Sequence, residues 1–154
     1  MSDRIGVMRE GKLAQVGSPA TIYTQPENRF VTEFMGEVNS LPVQLAGDGR
    51  LHCEALDASF EPPPGISPGF SRGVLIVRPE NVGISDDSAP AGGGNLIRGE
   101  LFNEYLLGSR IQYQVRSGGM VFLIEELRAD AVARLPGAEV TLSWQPGDSM
   151  VFPE

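Results

Sequence analysis

From Val38 onward, apolar residues recur at every second position, in short runs that glycine or proline closes. A period of two sends successive side chains to opposite faces of an extended chain, so the pattern calls for strands rather than a helical core. Residues 110–116 show it best: Ile111, Tyr113 and Val115 face one way, Gln112 and Gln114 the other. Further strands are predicted at 41–45, 51–60, 73–78, 82–84, 96–106, 120–126, 139–144 and 149–152. The run 73–78 is apolar on both faces and therefore buried. Gly99 is expected to bend the long strand 96–106, and Val140, Leu142 and Trp144 are expected to point inward. Nineteen glycines and twelve prolines supply the punctuation. Short strands at regular spacing, separated by such turns, predict a mainly β fold, a small antiparallel barrel.

The first 36 residues follow a different rule. Residues 4–8 and 13–17 read as two strands joined through Gly11, which is free to adopt positive φ. Ser18-Pro19 pairs a cap with proline at a first helical position, predicting a short helix over 20–24 that stops before Pro26. Asn28 caps a second helix, which places Phe30, Val31 and Phe34 on one apolar stripe. A hairpin and two short helices are too small to enclose a core, so this segment reads as the edge of something larger. Charge shifts at the same point. Residues 1–36 are neutral, whereas the rest carries the whole net charge of −8. The expected division is therefore 1–36 and 37–154.

Twenty acids against twelve bases disfavour a surface that tracks phosphates, so nucleic acid is not an expected partner. The lone cysteine, Cys53, excludes an internal disulfide framework. His52 is the only histidine, which leaves no His-rich metal site. His52 and Cys53, as strand neighbours, face opposite ways and do not form a dyad; Cys53 reads as a small buried hydrophobe. No phosphate-cradling G-x-x-x-x-G-K-[ST] loop and no nucleophile elbow is present. The acid pairs Asp86-Asp87 and Glu125-Glu126 read as solvated charge, and no catalytic residue, cofactor site or metal site is expected.

One cluster carries functional chemistry. Arg78, Pro79, Glu80 and Asn81 place a guanidinium, a carboxylate and an amide directly after the buried strand, stiffened by proline. The arrangement suits a structural corner in which Arg78 pairs with Glu80 or caps carbonyls. A sharper reading is a docking or sensing corner that meets another domain or a small ligand.

With these residues in view, a resemblance emerges. Residues 1–8 and 11–19, then Ile22-Tyr23, Pro26, residues 28–31 and 34–36, are similar to the end of the nucleotide-binding domain in ABC-transporter ATPases of bacterial import systems. Residues 77–82, 105–109 and 140–144 resemble the C-terminal TOBE domain of the same ATPases, in the manner of spermidine/putrescine and related solute importers. The resemblance implies an OB-like barrel over 37–154 and a nucleotide-binding-domain remnant over 1–36. It also implies a regulatory and dimerisation module rather than chemistry, with small-ligand sensing, of an oxyanion or a metabolite, as the alternative. ATP and Mg2+ would belong to the parent protein, since the ATP-binding motifs are not in this chain. Implied partners are a second copy of the subunit, membrane-spanning permease subunits reached through the ATPase domain, and a small effector. The implied location is cytoplasmic, peripheral to the inner membrane. Arg78, Pro79, Glu80, Asn81 and the turn residue Gly108 match the family pattern, which implies a structural and regulatory role. Phe30 and Phe34 are expected to mediate self-association when no ATPase core covers them.

Overall fold

The computed structural model describes residues 3–90 and 92–154 and divides the chain into two compact units, with the boundary between Val38 and Asn39. The first begins with strands β1 (Ile5–Arg9) and β2 (Lys12–Gly17), an antiparallel hairpin. Glu10 and Gly11 turn it at φ 52° and 79°, the left-handed pair that a tight hairpin demands. Helix α1 (Pro19–Thr24) is capped by the Ser18 side chain, which accepts from Thr21 N at 3.1 Å. Helix α2 (Arg29–Phe34) is capped by Asn28, which accepts from Val31 N at 2.9 Å. Among the described residues, Val7, Ile22 and Val31 form this unit's fully buried core. A buried Gln15 side chain adds a polar tie, donating to Gln25 O and accepting from Glu27 N. The anticipated stripe on α2 is split. Val31 is buried, Phe30 half-buried, and Phe34 63% exposed, because the residue turned inward beside Val31 is Thr32.

The second unit is mainly β, an OB-like antiparallel barrel built as two five-stranded sheets around one core. Its strands are β3 (Asn39–Leu45), β4 (Leu51–Cys53), β5 (Ala58–Phe60), β6 (Arg72–Val77) and β7 (Gly83–Ser85). There follow β8 (Asn95–Leu107), β9 (Arg110–Ser117), β10 (Met120–Leu127), β11 (Glu139–Trp144) and β12 (Ser149–Pro153). The first sheet has the order β12-β6-β3-β4-β5 and the second β10-β9-β8-β11-β7. Every neighbouring pair is antiparallel. Alternation fixes which residues fill the space inside. Leu41 and Val43 come from β3, Leu75 and Val77 from β6, Tyr113 and Val115 from β9, and Val140 and Leu142 from β11. Trp144 closes the core, its ring centroid 5.1 Å from that of Phe60.

Two buried asparagines join the sheets where no strand ladder does. Asn39, the first residue of β3, donates to Leu123 O at 2.8 Å and accepts from Leu123 N at 2.7 Å. Asn95, the first residue of β8, does the same to the backbone of Glu61, just past β5. Leu123 lies on β10 and Glu61 follows β5, and both strands are sheet edges. Each amide takes the place of a missing ladder rung and occupies groups that would otherwise pair with another chain.

Two expectations need correction. Residues 51–60 are not one strand: β4 and β5 are separated by a single 3-10 turn (Glu54–Leu56) and by Asp57 at φ 48°. A reversal made by an aspartate in the left-handed region carries no glycine or proline signal. The irregularity in β8 is not at Gly99. The register shifts between Leu101 and Asn103, which makes Phe102 the bulged residue. Gly99 has a different purpose. A Cβ there would sit 2.6 Å from a Val115 methyl and 2.8 Å from Arg116 O, so the residue permits close approach of β9.

Candidate functional site

The exposed side of the first sheet carries a polar row formed by register rather than by sequence proximity. Gln44 on β3 stands opposite both Arg72 on β6 and His52 on β4, and His52 stands opposite Ser59 on β5. Directly paired residues of antiparallel strands share a face. Their sequence neighbours Val43, Leu51 and Cys53 are buried in the core, so the row faces outward. Glu154 extends it, because its N–H donates to Arg72 O and its carboxylate lies 3.8 Å from Arg72 Nε. Strands are spaced ~4.8 Å apart, so the row from Glu154 to Ser59 spans roughly 19 Å.

A cleft of about 540 Å3 opens over the middle of this row, lined by Gln44, His52 and Arg72 with Pro42, Glu54 and Glu154. That volume is in the range of small-molecule sites. His52 Nδ1 is 3.2 Å from Ser59 Oγ. Which of the two atoms donates depends on the ring tautomer. Among the described residues neither the Gln44 amide nor the Glu54 carboxylate is engaged by another side chain or by backbone. No group of three or more His, Cys, Asp or Glu residues among those described is placed to hold a metal ion.

The residues singled out from sequence lie elsewhere. Arg78 is 2% exposed and Pro79 is buried, while Glu80 and Asn81 are exposed on the single 3-10 turn Pro79–Asn81. Gly108 sits at φ 67° in the turn between β8 and β9, a different element. Phe30 and Phe34 belong to the first unit, their ring centroids 6.0 Å apart, with the Arg9 guanidinium 4.9 Å from the Phe30 centroid. His52 and Cys53 do face opposite ways: Cys53 is wholly buried in the core.

The acid pairs are more than solvated charge. Glu126 Oε1 accepts the Tyr113 hydroxyl at 2.8 Å, and Glu125 pairs with Arg110 at 3.3 Å. Asp86 pairs at 2.9 Å with Arg134, whose side chain is almost fully buried. Burial, reinforced by the neighbouring Glu126 carboxylate, pushes the Tyr113 phenol up to about 12. The phenol is thus a neutral donor throughout the working range. Sequence reasoning missed Asn39, Asn95, Glu126 and Arg134, whose partners are set by register and packing. For the two asparagines a signal did exist: each is the polar residue that opens a strand.

The second unit is thus a small OB-like barrel with a cleft on the outward face of its first sheet. The chain belongs to the TOBE domain family, whose description matches residues 75–152, half of its length. It is 34% identical over 167 residues to a spermidine/putrescine import ATP-binding protein of Rubrobacter xylanophilus, covering 99% of this chain and 41% of that protein. It is 36% identical to the protein of the same description from Frankia alni, covering 100% and 36%. It is 30% identical to an Fe(3+) ions import ATP-binding protein of Rhizobium etli, covering 94% and 40%. The chain thus spans about two fifths of the length of these relatives. It represents the TOBE region of the ABC-importer ATPases, a region linked to ligand binding or subunit contacts. The solved structure of the cytoplasmic molybdate-binding protein ModG, with molybdate bound, shares the fold at a TM-score of 0.54 and 11% identity. That match covers 84% of this chain and 99% of that one. No helix among the described residues is long and apolar enough to cross a membrane.

Proposed function

We propose that residues 39–154 act as the ligand-sensing part of a bacterial import ATPase, with the cleft over β6, β3 and β4 as the sensor. The observation that carries this reading is the cross-strand row of Arg72, Gln44 and His52 opening into a cleft of about 540 Å3. Similarity to ATP-binding proteins of polyamine and of ferric import supports the transport context and leaves the solute open. On this reading residues 1–36 pack on a nucleotide-binding domain that uses ATP and Mg2+ and meets permease subunits at the cytoplasmic face of the inner membrane. A ligand that prefers one arrangement of two ATPase subunits then shifts the balance between them by its difference in affinity. The Arg78–Asn81 corner and the Gly108 turn would transmit that bias as structural elements. Calorimetry with oxyanions, polyamines and common metabolites tests the proposal: saturable heat with at least one class is expected, and a flat titration across the panel overturns it.

A second reading, a subunit-contact module, is favoured by exposed apolar residues. Tyr105, Leu106, Leu107 and Leu127 gather at one end of the β8–β9–β10 meander, and Phe34 is exposed in the first unit. Light scattering should then show self-association that weakens after Phe30→Ala and Phe34→Ala. A strict monomer at high concentration would contradict it.

A further inference from the structure

We infer that the cleft over β6, β3 and β4 takes a small zwitterion, a metabolite bearing both an ammonium and a carboxylate group. The inference rests on the sensing reading above and concerns the ligand's chemistry. The cleft offers charges of both signs, and they are laid out in order. Arg72 contributes a guanidinium on β6; Gln44 and His52 add hydrogen-bonding groups on β3 and β4. Glu54 opens the turn beyond β4, and Glu154 flanks Arg72 at 3.8 Å.

Charge balance decides between ligand classes. A purely anionic ligand meets two carboxylates against one guanidinium, within a chain of net charge −8. Arg72 is moreover partly neutralised by Glu154. A polycation finds the two carboxylates but must lie against Arg72, and like charges at such range repel. A ligand with a carboxylate and an ammonium satisfies both ends. Its carboxylate accepts from Arg72 and from the Gln44 amide, and its ammonium donates to Glu54, whose carboxylate has no protein partner among the described residues. Arg72 on β6 and the β4 strand that Glu54 directly follows stand two strands apart, roughly 10 Å between backbones. The two charged groups of the ligand should therefore be separated by several bonds, with an aliphatic chain lying on Pro42.

The test follows the amide resonances of Ala55 and Gly73, which line the cleft, in the whole 15N-labelled chain. The zwitterionic probes are L-lysine and 6-aminohexanoate, compared with hexanoate, hexylammonium, molybdate, sulfate and spermidine. Saturable shifts of both amides with the zwitterions are expected, with affinity at least tenfold weaker for hexanoate and hexylammonium. Glu54→Gln and Arg72→Gln should each weaken zwitterion binding at least threefold; both are exposed, and the unliganded spectrum reports that the fold is intact. Zwitterion binding that neither substitution weakens overturns the inference. If molybdate, sulfate or spermidine saturates these amides and the zwitterions do not, the ligand class is wrong while the sensing reading stands. Silence of every probe at these amides removes both.

Discussion

The two units of this chain illustrate two ways of holding short elements together. Among the described residues, the second gathers nineteen buried apolar residues from both sheets and their connections into one cluster, whereas the first has three. Full burial of a Val, Leu, Ile or Phe side chain is worth about 1.5–3 kcal/mol, and fixing a residue's backbone costs about 1–2 kcal/mol. Nineteen such residues organise a barrel, but three cannot offset the ordering of a hairpin and two helices. The first unit relies instead on local devices: the Ser18 and Asn28 caps and the Gln15 amide. Caps and turns shape a segment without making it self-sufficient. The lesson is that a chain can look equally well formed along its length while its cohesion is concentrated in one part.

The sharpest way to break this comparison is to separate the parts. A peptide of residues 3–38 should lack cooperative unfolding by circular dichroism, whereas residues 39–154 should retain a single thermal transition. Two cooperative fragments would mean that the small core suffices after all. A smaller effect comes from the two kinds of amide tie. Asn39→Ala strands the N–H and C=O of Leu123 and should lower the stability of the main transition by about 2–3 kcal/mol in urea denaturation. Gln15→Ala removes an equivalent pair of bonds in the first unit and should leave that transition within about 0.5 kcal/mol. Equal losses would refute the claim that cohesion lies in the barrel. The smallest effect concerns pH. Because folding raises the Tyr113 phenol from 10.0 to about 12, the folded state holds that proton more tightly. Its contribution is complete below pH 10 and is lost as pH rises towards 12. Tyr113→Phe should flatten the alkaline decline seen in denaturation between pH 9 and 12, and an unchanged slope would assign that decline to other groups.

Much of the fold is legible in the amino-acid sequence. The Ile111-Tyr113-Val115 alternation, the inward Val140, Leu142 and Trp144, and the two helix caps all follow from contacts within a few residues, which sequence records directly. The hairpin hidden in 51–60 is not legible, because Asp57 adopts a left-handed conformation without a glycine to announce it. The candidate site is not legible either. Arg72, Gln44, His52 and Glu154 come from four separate segments and meet only through strand register. Arg78–Asn81 stands out in the sequence because its polar groups are adjacent in the chain, yet the fold buries its guanidinium.

Local periodicity and capping chemistry, then, determined the elements of this protein, their inward faces and the contrast between its two parts, because each depends on residues that touch along the chain. Tertiary structure alone decided which strands became neighbours, which asparagines bridged the sheets and which polar side chains lined one cleft. Those choices depend on pairing between distant segments, where a slip of one residue exchanges the inner and outer faces, and no short stretch of sequence encodes the register by itself.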